Sequence, residues 1–115
     1  MTTFTLYHNP RCSKSREALA LLEARRVDVS VHRYLDDPLD ITHLRSLAQR
    51  LENGVPALVR TNEAQWKDLA LKDPSDEERL QAIADNPRLM QRPILDDGTR
   101  ARIGRPPEAL LDLIE

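Results

Sequence analysis

The chain has 115 residues, 40% of them hydrophobic and 31% charged, with a formal net charge of -2. That length suits one compact domain over 1–115, and so balanced a charge excludes a basic face for nucleic acid or a polybasic membrane anchor. A single Cys excludes an internal disulfide framework and a Cys-only metal site.

No run approaches the roughly 20 apolar residues of a membrane span. Met1 to Tyr7 lacks the basic stretch and long apolar run of a secretory leader. The expectation is a soluble protein in a reducing cytoplasm, where a lone thiol stays free, with a monomer as the default. With one Trp, two Tyr and one Phe, the core must be mainly aliphatic.

In chain order, Phe4 to Tyr7 reads as a short strand, broken by His8-Asn9-Pro10. Ala18, Leu19 and Leu22 form the apolar stripe of an amphipathic helix over Ser13 to Arg26. Val27, Val29 and Val31 alternate with Asp28, Ser30 and His32, the period of a half-buried strand. Together they predict a βαβ unit with parallel strands and a right-handed crossover.

Asp37 to Asp40 supplies a turn and an N-cap, and Ile41, Leu44, Leu47, Ala48 and Leu51 predict a second helix ended by Asn53-Gly54. Val55 to Leu71 reads as short helical pieces. Another helix runs over Asp76 to Ala84, capped near Ser75 or Asp76 and stopped by Pro87. Ile94-Leu95 and Arg100 to Ile103 flank Asp96-Asp97-Gly98 as a hairpin. Pro106 and Pro107 open a last helix. The order, βαβ then helices at about 38–87 then ββα, predicts an α/β fold with a mixed sheet and an inserted helical segment.

The chemistry centres on Cys12, placed between a strand end and a helix start. Amide N–H groups and the macrodipole favour an anion there. A thiol of pKa about 8.5 is roughly 3% ionised at pH 7, whereas one of about 6.5 is roughly 75% ionised. Arg11, Lys14 and Arg16 add positive charge, Ser13 and Ser15 offer hydroxyls, and His8 is a candidate proton donor. The plain alternative is a structural core thiol. Polar, cationic flanks argue against it. His32 and His43 read as surface residues, and no His, Asp or Glu spacing suggests a metal site.

The loop His8-Asn9-Pro10-Arg11-Cys12-Ser13-Lys14-Ser15-Arg16 resembles the active-site loop of the glutaredoxin-coupled arsenate reductase family. Four further motifs follow in the family's order: Tyr34-Leu35 with Pro38, Leu58 to Glu63, Asn86-Pro87 with Arg92-Pro93-Ile94, and Gly104 to Glu108. The resemblance implies a thioredoxin-like fold with a helical insertion and a cis-proline at Pro93. It implies Cys12 as nucleophile, His8 and Ser15 as its helpers, and Arg60, Arg92 and Arg105 as oxyanion-binding residues. Arsenate or a similar oxyanion would be the substrate. No cofactor would be bound; glutathione would be the external thiol and glutaredoxin the partner.

Guanidinium groups suit this chemistry because they offset like-charge repulsion between a thiolate and an oxyanion. The plain alternative for each arginine is a solvated surface charge. The loop carries Ser13-Lys14 where many family members have Gly-Thr, and the chain ends at Glu115 just after the last helix, features nearest the short branch of the family. Two other functions fit parts of the pattern. A thiol-redox protein acting on another substrate needs the same thiol, and a regulator of the Spx type shares the fold. Ser at position 15 excludes that regulator's two-thiol switch.

Overall fold

Alternation in the first strand sets the layering. In the computed structural model, which describes residues 4–114, Phe4–Tyr7 forms strand β1. Leu6 enters a core with Ala18, Leu22, Leu95, Leu110 and Leu113, while Tyr7 enters another on the opposite face. Met1 to Thr3, part of the stretch read above for a leader, and Glu115 lie outside the described residues.

Helix α1 (Ser13–Ala24) starts where its stripe predicts and buries Ser15, Ala18 and Leu22. It stops two residues before Arg26, which takes the left-handed conformation with φ 57° and lets the Val27 N–H return to Leu22 O at 3.0 Å. Strand β2 (Val29–His32) then pairs parallel to β1, Phe4 opposite Val29 and Tyr7 opposite His32. Only Val27 and Val29 of the expected apolar face pack inward. Val31 is 44% exposed, because β2 is an outer strand of the sheet.

The insertion begins with α2 (Ile41–Arg50), whose N-cap Asp40 accepts the His43 N–H at 2.8 Å. The expected stop at Asn53-Gly54 is displaced. Leu51 turns extended, packs in the core and bridges Ala101, so tertiary pairing ends the helix after Arg50. Gly54, with φ 66°, instead opens α3 (Gly54–Leu58).

Helices α4 (Ala64–Leu69) and α5 (Asp76–Asp85) follow, the latter held by a Ser75–Glu78 capping box. Pro87 ends α5 and begins a 3-10 turn over Pro87–Leu89. Arg60 N–H to Leu89 O and Gln91 N–H to Leu58 O, both 2.7 Å, clamp the end of α3 to the chain entering the next strand. That clamp brings Arg60 near Arg92.

Strands β3 (Ile94–Asp96) and β4 (Ala101–Ile103) form the predicted hairpin, its turn held by Asp97 Oδ1 accepting the Thr99 and Arg100 N–H groups. The sheet order is β2-β1-β3-β4, with β3 antiparallel to both neighbours. A 3-10 turn over Pro107–Leu110 leads into α6 (Leu111–Ile114). One sheet face carries α1 and the carboxy-terminal helix, and the other carries the insertion. No described helix is long and apolar enough to cross a membrane.

A bidentate ion pair locks insertion to sheet: Arg50 Nε and Nη2 donate to Asp96 at 2.9 and 2.6 Å, and Asp96 is only 6% exposed. Removing one member of such a pair strands the other charge. Asp96→Ala is expected to lower unfolding free energy by about 3 kcal/mol, read as a lower urea midpoint at unchanged slope.

Candidate active site

Cys12 is the N-cap of α1, in extended conformation with φ -95° and ψ 123°. Its own N–H donates to Asn9 O and its carbonyl accepts from the Arg16 N–H, both at 3.0 Å. The sulfur therefore faces the free amides of the first turn, where the Ser15 and Lys14 N–H groups favour its charged form.

The loop before it is pinned from inside. Ser15, fully buried, accepts the Asn9 N–H at 2.9 Å, and its Oγ lies 2.7 Å from His8 Nδ1. Asn9 Oδ1 accepts the Arg11 N–H at 3.0 Å, closing the loop's first turn. Burial and the charges of Arg33 and Arg16 hold the His8 imidazole below its ordinary pKa, so the ring is neutral near pH 7. His8 thus braces Ser15, and no hydrogen bond joins its ring to the sulfur among the described residues.

The neighbouring cations do not gather on the thiol as the sequence suggests. Arg16 donates to Pro10 O at 3.0 Å, Lys14 pairs with Glu17 at 3.5 Å, and Arg11 lines a groove beside the loop. Side chains flanking an N-cap diverge around the helix axis, so positive charge must come from elsewhere in the fold. It comes from Arg92 and Arg105. The Arg92 charge acts on the sulfur, and Arg105 Nη2 lies 3.8 Å from Sγ.

Both arginines are carried by the turns beside β3 and β4. The Arg92–Pro93 peptide is cis, as expected, and so is Arg105–Pro106, which the sequence reading did not foresee. Gly104 donates to Pro93 O at 2.9 Å, and a Cβ on Gly104 would meet Pro93 Cγ at 2.9 Å and Leu110 Cγ at 3.0 Å. Only glycine allows this approach. Arg105 Nε then donates to Arg92 O at 2.9 Å, tying the two together.

Arg60 completes the group. It forms an ion pair with Glu63, and burial, with the nearby Arg92 and Arg105 charges, holds its pKa below the ordinary value. Two buried nitrogens of Arg92, Nε and Nη1, have no protein acceptor among the described residues. Buried donors of this kind need a partner, and an oxyanion offers several acceptor oxygens.

Burial pushes the Cys12 thiol up, but the Ser15 N–H, the nearby Arg92 guanidinium and the Lys14 N–H outweigh it. The net result is a thiol below its ordinary value, favouring the thiolate.

Three residues belong to this site that motif reading did not assign to it. Tyr34, 1% exposed, feels the charges of Arg92, Arg60 and Cys12, and burial raises its phenol to about 12. Asn9 organises the loop, and Glu63 holds Arg60. Tyr34 is one of two Tyr in an aromatic-poor chain, which is a signal for a special position. His32 and His43, read as surface residues, are half-buried against Tyr7, whose hydroxyl lies 2.8 Å from His43 Nε2.

Among the described residues, no group of three or more His, Cys, Asp or Glu is arranged to hold a metal ion. A family model, the ArsC family, matches residues 7–113. An arsenate reductase of Haemophilus influenzae is 40% identical over 95% of this chain and 97% of its own. An uncharacterised Escherichia coli protein, YfgD, is 47% identical over 95% of this chain and 94% of its own. Among solved structures, an arsenate reductase from Vibrio cholerae superposes with a TM-score of 0.90 at 40% identity, covering 96% of this chain and 97% of that one. The thioredoxin-like α/β fold and the run of matched sequence, from the end of β1 through the Cys12 loop to the last helix, agree: the chain belongs to the ArsC family.

Proposed function

We propose that this protein is an arsenate reductase, an oxidoreductase that converts arsenate to arsenite through a Cys12–arsenic adduct, with glutathione and glutaredoxin as the external thiols. The convergence of Arg92 and Arg105 on the chain's one thiol carries this reading.

The Cys12 thiolate is the nucleophile. Attack on arsenic forms a sulfur–arsenic bond and releases one arsenate oxygen as water after protonation. Arg60, Arg92 and Arg105 bind the remaining oxygens, offsetting the repulsion between two anions. Ser15 and His8 keep the loop rigid, so the amides of Lys14 and Ser15 stay aimed at sulfur.

Reduction needs a second thiol, and the chain has none. An external thiol attacks the Cys12 sulfur, losing its proton and forming a mixed disulfide, while the sulfur–arsenic electron pair goes to arsenic, which takes up the proton and leaves as arsenite. In total one arsenate and two thiols give one arsenite, one disulfide and one water. Exchange with further thiols restores Cys12.

The test is arsenate-dependent NADPH oxidation in the presence of glutathione, glutaredoxin and glutathione reductase. Turnover that saturates with arsenate and needs both thiol components is the expected result. No turnover at any arsenate concentration removes arsenate as the substrate.

A further inference from the structure

The chemistry described so far leaves Tyr34 without a task. It follows β2, whose last residue, His32, accepts the His8 N–H at 2.9 Å. The turn after β2 therefore lies against the start of the Cys12 loop. Tyr34 is 1% exposed, yet no hydrogen bond joins its hydroxyl to another described residue. Asn9 stands beside it, but Asn9 Oδ1 accepts the Arg11 N–H instead. The other tyrosine, Tyr7, behaves as buried phenols ordinarily do, with its hydroxyl 2.8 Å from His43 Nε2. A buried hydroxyl left bare is a donor whose acceptor the chain does not supply.

Its surroundings define that acceptor. Tyr34 shares a cavity wall with Arg60 and feels the charges of Arg92 and Cys12. Arg92 has two bare nitrogens of its own, Nε and Nη1. Unmatched donors on a phenol and a guanidinium, gathered beside one thiol, fit a tetrahedral oxyanion with its several acceptor oxygens. The reaction adds a need that the arginines do not meet. The departing arsenate oxygen leaves as water only if it gains a proton. A guanidinium that gave up its proton would lose the charge that holds the oxyanion. His8 is turned to Ser15, with Nδ1 2.7 Å from its Oγ.

We propose that Tyr34 is a catalytic residue of this site, its O–H donating to the oxygen that departs when Cys12 attacks the bound oxyanion. As the thiolate adds to arsenic, the bond from arsenic to that oxygen breaks. The departing hydroxide takes the phenol proton and leaves as water. The phenolate formed is steadied by the Arg92 and Arg60 charges and regains its proton from solvent before the next turnover. Burial pushes the phenol up to about 12, so it is protonated near neutral pH. That lies below the value of about 15.7 for water, so transfer to hydroxide is downhill. The proton transfer rests on the arsenate reductase reading, whereas the contact needs only a bound oxyanion.

Tyr34→Phe keeps the ring and removes the hydroxyl, and three measurements on the full chain read the consequences. Protection of Cys12 from iodoacetamide by arsenate, with no other thiol present, reads the contact. Half-protection is expected to need about tenfold more arsenate in the variant. Coupled turnover reads the proton transfer, and kcat/KM for arsenate is expected to fall on the order of 10²-fold or more. The urea midpoint is expected to equal or exceed the parent's, because an unmatched buried hydroxyl costs stability. The pH midpoint of Cys12 alkylation without arsenate stays where it was.

If arsenate protects and is turned over equally well in parent and variant, the Tyr34 assignment falls and the reductase reading stands. If protection depends on Tyr34 but the parent turns over no arsenate, the contact stands and the reductase reading falls. A clearly lower urea midpoint in the variant gives the hydroxyl a structural partner within the protein and overturns the proposal.

Discussion

Cys12→Ser is expected to lower arsenate turnover by on the order of 10⁴-fold or more, with the far-UV spectrum and urea midpoint close to those of the parent. The magnitude follows from what serine lacks. A hydroxyl at this N-cap has the same helix amides in front of it, but it is not ionised near neutral pH and cannot release an electron pair to arsenic at the reduction step. The fold survives because the loop is braced by Asn9, Ser15 and His8 rather than by the sulfur. Residual turnover within tenfold of the parent would move the nucleophile elsewhere, and the chain offers no second thiol.

The second large effect belongs to Arg92. Arg92→Ala is expected to reduce kcat/KM for arsenate by about 10²–10³-fold, the range seen when a preorganised donor to a developing anion is removed. It also raises the Cys12 pKa, because Arg92 supplies the largest charge effect on the thiol. The two consequences are separable: alkylation at high pH, where every thiol is ionised, recovers the parent rate, whereas arsenate turnover does not. Arg92→Lys restores much of the alkylation profile by its charge and little of the turnover, since an ammonium lacks the paired planar donors. Arg105→Ala is expected to be milder, because Arg105 is exposed to water and lies 3.8 Å from the sulfur.

Most of the fold is legible because its signals are local. Alternation placed β2, the 3.6-residue stripe placed α1 and α2, and a cap near Ser75 or Asp76 announced the start of α5, which the structure assigns to Ser75. The hairpin at Asp96-Asp97-Gly98 came from its turn chemistry and the two short apolar runs beside it. Where expectation and structure part, a long-range contact is responsible. Leu51 abandons its helix to bridge Ala101, fifty residues on, and Val31 loses its expected cover at the sheet's edge.

The site divides the same way. Cys12 at a helix start is visible from the sequence, as is the His8–Ser15 neighbourhood, both lying within one loop and turn. The source of positive charge is not visible from flanking residues, and the local reading chose the wrong cations. Arg92 and Arg105 come from 80 and more residues away, delivered by the turns around Pro93 and Gly104, and only the family motif pointed to them. Tyr34 and Glu63 escaped as site residues because their roles depend on which guanidinium group each side chain meets once the insertion packs.

Backbone amides and distant arginines lower the Cys12 pKa and favour its thiolate. The measurement that tests this most directly is the rate of Cys12 alkylation by iodoacetamide as a function of pH. Reactivity follows the thiolate fraction, so the rate rises with pH and is half-maximal at the thiol pKa. A lowered pKa moves that midpoint toward acid. A midpoint clearly below the free value of about 8.5, shifted upward in Arg92→Ala, is the predicted result. A midpoint at or above about 8.5, or one indifferent to Arg92, would contradict the account.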